Sequence, residues 1–408
     1  MTGQGPARRL LRSRDLRRST LVELFFDLVF VFALTQLSQA LIRHLTWGES
    51  VRVLLLTMAV WWAWSVTAWV TDLYESQRPG IQWLVIGVMF GVLLMASALP
   101  EAFDRRGLVF AGAYVTLQTG RTGVLLLALP GRGLRRGAAR VLFWFGVASV
   151  AWLTGAFVHG TSRVLLWAVA LAVDYGAAIL RWPTPGLGRS SVSEWGLAAE
   201  HLSERYRQIL IIALGDTVLT IGSTYSALRP QPGRTVALAT AFATTVLLWR
   251  IYSYRAGARI STSFTSGAQR ARPARELDWN HLAMVAGIVV TAVGGEVVIL
   301  HPFDRIRWAW IAVILGGPAL FLIGRAHFGY VVFGYLSRPR LVGLLVLVAM
   351  TPAMILLPPV IVALAVALVL IGVVSTDLPG LRTLLKTRQP PAENANPAAG
   401  DGSESNPP

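Results

Sequence analysis

A chain of 408 residues that is 54% apolar and only 14% charged, with a mean hydropathy of +0.56, is too apolar for an ordinary water-soluble domain, in which about a quarter of residues are charged. Its 37 basic residues outnumber 21 acidic ones, and all but Lys386 are arginines set in short segments between apolar runs. That pattern is membrane topology and excludes a nucleic-acid partner; the lack of cysteine excludes disulfides and thiolate metal sites, and the lack of other lysines excludes an internal Schiff base.

A helix crossing the ~30 Å hydrocarbon core needs about 20 mostly apolar residues. In chain order this predicts spans at 21–42, 51–71, 81–99, 108–129, 141–158 and 163–180 in a first half covering 20–180. Residues 1–19 carry six arginines and are expected as a basic cytoplasmic segment; the run after them is too long for a signal peptide and contains Asp27. Thr20-x-x-Glu23 reads as a capping box opening the first helix. Asp27 then lies about 10 Å inward, at 1.5 Å per residue. Arg121 lies about 12 Å from the inner end of the fourth span, so an Asp27–Arg121 pair facing the bundle interior is expected, whether it serves transport or only locks helices together. Asp174 falls near the middle of the sixth span. Of the tryptophans, Trp61, Trp62, Trp64 and Trp69 crowd the second span; some suit interfacial anchoring, and Trp64 and Trp69 suit the interior.

Residues 181–205 read as an inner linker and interfacial helix, with Glu200, His201 and Glu204 on a polar face. A second half over 206–376 holds spans at 206–228, 234–255, 281–300, 308–327 (extending to about Leu336), 341–357 and 359–375, the last two meeting at Pro358-Pro359. It contains Asp216, Glu296 and Arg325, with Asp216–Arg325 as the expected counterpart of the first pair. Residues 257–280 form a basic loop or surface helix. His281 opens the ninth span and His301 closes it before Pro302, and both are expected at the interface. The tail 387–408 has the composition of a disordered segment. With the N-terminus inside, the inner connections carry roughly threefold more arginine than the outer ones, as the positive-inside rule requires. Both termini are therefore expected in the cytoplasm.

The expected fold is an all-α integral membrane protein of about twelve transmembrane helices in two six-helix halves. Gly87 and Phe103-Asp104-Arg105 align with Gly287 and Phe303-Asp304-Arg305 at an offset of 200. Gly120-Arg121 matches Gly324-Arg325, and Ala33-Leu34 matches Ala213-Leu214. Because six is even, such halves share one orientation, a parallel pseudo-repeat.

A charge at the centre of a membrane helix costs roughly 2.5–3.5 kcal/mol on insertion scales. Asp27, Arg121, Asp174, Asp216, Glu296 and Arg325 are therefore the candidate polar core, with Gly294-Gly295-Glu296 the preferred ion or proton site because flanking glycines permit close approach or unwinding. No nucleophile elbow, phosphate loop, dinucleotide fingerprint or His-x-x-x-His spacing occurs, so no catalytic residue, metal site or cofactor is expected.

The segment Glu23-Leu-Phe25-Phe26-Asp27-Leu-Val-Phe-Val resembles the opening signature of the bacterial low temperature requirement protein A (LtrA) family. Glu204-Arg205, Ile211-Ile212-Ala213-Leu214-Gly215-Asp216, His281 before Gly287-Ile288-Val289, and Glu296 before His301-Pro302 follow that family's pattern from about residue 20 to at least 330. Asp216 stands where the resemblance implies Glu. The family name implies a link to growth at low temperature and no biochemical activity. More distantly, Phe25-x-Asp27-x-Val29-Phe30-x-x-Ala33-x-Thr35 is similar to the Phe-Ser-Asp first-helix signature of the bacterial and endolysosomal potassium channels, with Phe26 in place of the serine. That likeness implies helices one and seven at the centre and Asp27 as a packing anchor.

The leading expectation is a transporter or channel for an ion or small solute in the cell membrane, with the lipid bilayer as its partner. The alternatives are an enzyme acting on lipid through Glu200, His201 and Glu204, or a structural or sensory protein. A homo-oligomer is compatible with the sequence.

Overall fold

The computed structural model describes residues 20–74, 78–128, 132–190, 199–253, 271–333 and 336–376. Among them the regular elements are helical: α1 (Leu21–Arg43), α2 (Trp47–Leu73), α3 (Pro79–Ala98), α4 (Gly107–Ala128), α5 (Arg132–Phe157), α6 (Thr161–Ile179), α7 (Ala199–Ser226), α8 (Pro232–Ser253), α9 (Ala271–Leu300), α10 (Trp308–Phe333), α11 (Arg338–Met354) and α12 (Pro359–Thr376), with a 3-10 turn at Leu99–Glu101. Ten are long and apolar enough to cross a membrane. The two that fall short have visible reasons: α4 carries Gln118 and Arg121 among several threonines, and α11 has 17 residues and opens on Arg338-Pro339-Arg340. The chain is a multi-pass membrane protein.

Helix starts differ from expectation where arginine-rich segments precede an apolar run. The fifth, seventh and ninth spans were expected from 141, 206 and 281, yet the helices begin at Arg132, Ala199 and Ala271. Hydropathy marks only the part of a helix that meets lipid, whereas Arg, Glu and Ala propagate it beyond the boundary. The expected linker is consequently divided. Residues 181–190 fold back as a closed loop, with Ser190 N–H on Arg181 O at 2.9 Å, while 199–205 are the first turns of α7. Residues 1–19, 257–270 and 387–408, on which a basic segment, a basic loop or surface helix and a disordered tail were expected, lie outside the described residues.

Within the first six helices α1 packs on α2 and α3, α3 on α4, α4 on α5, α5 on α6, and α2 on α4 and α6. Within the second six α7 packs on α8 and α9, α9 on α10, α10 on α11, α11 on α12, and α8 on α10 and α12. The two sets meet where α1 and α2 lie against α7 and α9. The most enclosed helices are α2 and α9, whereas α1 and α7 were expected at the centre. These two do pack together, but α1 turns Phe25, Leu28 and Phe32 outward and α7 turns out Ile211 and Leu219. The large aromatic side chains of α2 and the small residues of α9 explain the exchange. Trp61, Trp62 and Trp64 fill space between helices and are buried, not interfacial.

The α9–α10 contact is made close by glycine. A Cβ on Gly287 would sit 2.6 Å from the Phe321 backbone nitrogen, and one on Gly317 would sit 2.6 Å from the Thr291 nitrogen. At the α5–α6 end of the bundle, buried Arg163 turns its guanidinium onto five carbonyls: Gly155 (3.1 Å), Val158 (2.8 Å), Ala102 (3.0 Å), Asp104 (2.8 Å) and Ala156 (3.2 Å). Acceptors left over at the end of α5 and in the α3–α4 connection are thereby satisfied by one side chain.

Candidate functional site

The capping box predicted for α1 is present: Glu23 N–H donates to Thr20 Oγ1, and Thr20 N–H to Glu23 Oε2 at 2.9 Å. Glu23 does more than cap. Its carboxylate also faces His201 Nε2 at 3.2 Å, while His201 Nδ1 faces Asp72 of α2 at 2.9 Å. His201 thus bridges the carboxyl groups of α1 and α2 through its two ring nitrogens. One turn deeper, Arg205 donates to Asp27 Oδ1 at 2.6 Å and lies 3.8 Å from Glu23. Trp64 Nε1 donates to the same Asp27 oxygen at 2.8 Å, and Phe26 lies under the guanidinium at 5.5 Å. All these charged groups are fully enclosed by protein, so their desolvation is offset by one another and not by water.

The expected Asp27–Arg121 pair is therefore corrected. Asp27 pairs with Arg205 of α7 and not with Arg121 of α4. Arg121 instead donates to Thr67 at 2.6 Å and to Ala63 O at 3.4 Å, both on α2, and makes a short bond to Gln118. Gln118 donates to Tyr114, whose hydroxyl donates to Asp174 Oδ2 at 2.8 Å, with Trp152 Nε1 on the same oxygen at 3.3 Å. Asp174 and Arg121 thus end one buried chain through Tyr114 and Gln118. The Asp216–Arg325 pair is not formed either: Arg325 donates to Ile251 O at 3.3 Å and lies over Phe328.

Asp216 makes a short bond to Thr35 of α1. The contacts Glu23–His201, Asp27–Arg205 and Thr35–Asp216 advance together along both helices, so α1 and α7 run parallel. Farther along α7, Thr224 faces the carboxyl of Glu296, whose Oε2 is buried with no partner among the described residues. Beside Gly294 and Gly295, Thr217, Thr244 and Thr291 line a cavity of about 20 Å³ between α7, α8, α9, α10 and α12, room for about one water.

Two groups escaped sequence reasoning. Asp278 on α9 accepts at one oxygen from Ser65 (2.6 Å), Tyr206 (2.9 Å) and Trp61 (3.0 Å), and Asp72 anchors His201. Each lies at the edge of an apolar run, where a charge reads as loop. His281, expected at the interface, is buried ten residues into α9. It stacks on Tyr206 with centroids 4.6 Å apart, and Tyr252 and Phe328 meet it edge-on. His301 does lie at the end of α9, half-exposed, against Asp304 at 2.7 Å; Pro302 O accepts from Val360 N–H at 3.1 Å. Glu204 pairs with Arg207 on the surface at 2.6 Å, and Phe25 and Gly215 face outward. The Glu200 side chain lies outside the described residues. Among the described residues no three acidic or histidine side chains converge as metal ligands.

The sequence pattern of the bacterial low temperature requirement A protein (LtrA) family matches residues 18–375. An uncharacterized protein of Rhizobium meliloti (strain 1021) is 38% identical over 319 residues, covering 76% of each chain. No solved structure matches, and the likeness of α1 to the potassium channel signature gains no support from these comparisons.

Proposed function

The chain belongs to the bacterial low temperature requirement A protein (LtrA) family, and from that premise we propose a transporter or channel for a small cation or solute, with its path along the α1–α7 seam. The observation that carries this reading is the stacking of acidic groups at successive depths along one parallel helix pair and the neighbouring face of α9. Glu23 and Asp27 come first, Asp216 on Thr35 next, and Glu296 beside Thr224 last. From Glu23 to Thr35 is roughly 18 Å along α1, and from Asp216 to Thr224 roughly 12 Å along α7. Together these lengths match the ~30 Å hydrocarbon core. Intramembrane carboxylates and hydroxyls in such a row suit cations or protons.

The halves 20–180 and 206–376 form a parallel duplication in this proposal. The recurrence of the packing scheme six helices later supports it, as does the parallel course of α1 and α7. So does the matching use of two arginines: Arg121 on α4 reaches a carbonyl of α2, and Arg325 on α10 a carbonyl of α8. The arginine bias supports a bacterial cell-membrane protein with both termini in the cytoplasm. The lipid-enzyme alternative fits the geometry poorly, because both ring nitrogens of His201 are engaged by carboxylates away from any surface.

The test is flux into proteoliposomes holding the purified chain, read with potassium, sodium and proton indicators. Wild type passes at least one cation, and Asp216→Asn lowers that flux about tenfold while remaining folded. Absence of flux for every cation and small solute tried, at both membrane polarities, removes the proposal.

A further inference from the structure

We infer that the outer flank of α4 and α5 is a binding site for one anionic phospholipid, its phosphate on Arg135 and Arg136 and an acyl chain in the groove beyond them. Arg135 and Arg136 are exposed in the first turns of α5. Among the described residues neither has a hydrogen-bond or ion-pair partner. Three and four residues on, the same helix face continues as Ala139, Leu142, Phe143, Gly146, Val147 and Val150, the spacing that stacks side chains on one stripe. With Leu126 of α4 this stripe lines an apolar groove open to the outside of the bundle.

Length and charge both select the occupant. From Ala139 to Val150 the groove runs about 17 Å along the helix, close to one leaflet's half of the ~30 Å core. Gly146 forms its floor, and a Cβ there meets no atom within 4 Å, so the missing side chain leaves the groove open. A neutral headgroup leaves two guanidiniums facing bare ester and phosphate dipoles. A phosphate carrying net charge gives them charge-assisted hydrogen bonds. Another arginine of this helix, Arg140, is buried and holds Leu187 O at 2.6 Å, fixing the 181–190 loop. The division is informative: among the described side chains Arg140 is committed to protein, and Arg135 and Arg136 are left for a ligand at the membrane surface. Arginine placed only to satisfy topology needs no matching apolar groove on its own face.

The experiment is native mass spectrometry of the detergent-purified full chain titrated with phosphatidylglycerol or phosphatidylcholine. Wild type retains phosphatidylglycerol in preference, and Arg135→Gln with Arg136→Gln weakens that retention about tenfold or more while leaving phosphatidylcholine retention as it was. Gly146→Leu, which fills the groove, lowers retention of both lipids with the arginines intact. Inorganic phosphate at millimolar concentration leaves the bound phosphatidylglycerol in place. Equal retention of the two lipids by wild type overturns the inference, as does unchanged phosphatidylglycerol retention in the double variant or displacement by inorganic phosphate alone.

Discussion

At the scale of single residues, the molecule's acidic groups are held in place by specific donors. Asp27 receives Arg205 and Trp64, and taking its charge away leaves a guanidinium enclosed by protein. Breaking one side of such a buried pair typically costs 3–5 kcal/mol. Asp27→Asn should therefore lower stability by about 3 kcal/mol, seen as a lower unfolding temperature in detergent. Phe25→Leu on the exposed face of the same helix should change it by less than about 0.5 kcal/mol. Arg163 offers a second case. Its five carbonyl contacts need a planar fork of donors, so Arg163→Lys, with three donors on a flexible stem, should restore less than half of what Arg163→Ala loses in the same melt. Glu23 and Asp27 were legible in the sequence because a charge surrounded by apolar residues stands out. Their partners were not, since Asp72, His201 and Arg205 lie at the ends of apolar runs, where charge is ordinary. Matching Arg121 to Asp27 by depth alone failed because depth fixes one coordinate and says nothing of which helices are neighbours.

Among the helices, the sequence marked the apolar parts well and the polar extensions poorly. The lipid-crossing stretch of α9 was visible, whereas its start at Ala271, which brings Asp278 into the interior, was hidden in an arginine-rich segment. The exchange of central roles between α1 or α7 and α2 or α9 has the same origin. Hydropathy does not separate a helix facing lipid from one facing protein when both are apolar. Tryptophan bulk and glycine spacing do carry that difference. Gly287 and Gly317 let α9 and α10 approach until a Cβ collides with backbone. Gly317→Leu should consequently cost about 1–3 kcal/mol or prevent accumulation of folded protein, while Gly146→Leu, open to the outside, should leave the melting temperature within a degree or two of wild type. Equal tolerance at both positions would contradict the packing described for this pair.

For the whole molecule, the account joins a membrane fold to a path that lies where its two sets of helices touch. If all twelve helices cross, the chain ends lie on one side, so reporters of compartment fused before residue 20 and after residue 376 should give the same answer, and opposite answers would require one helix to lie flat. The central claim is that water meets the α1–α7 seam. The chain's lack of cysteine makes it directly testable, because a thiol reacts with a charged reagent only where water lets it ionise. Single cysteines at Thr35 and Thr224 are predicted to be modified by a membrane-impermeant thiol reagent in the reconstituted protein, and cysteines at the outward-facing Leu28 and Leu219 to stay unmodified. If the seam positions are as inert as the lipid-facing ones from both sides of the membrane, no path runs between these helices.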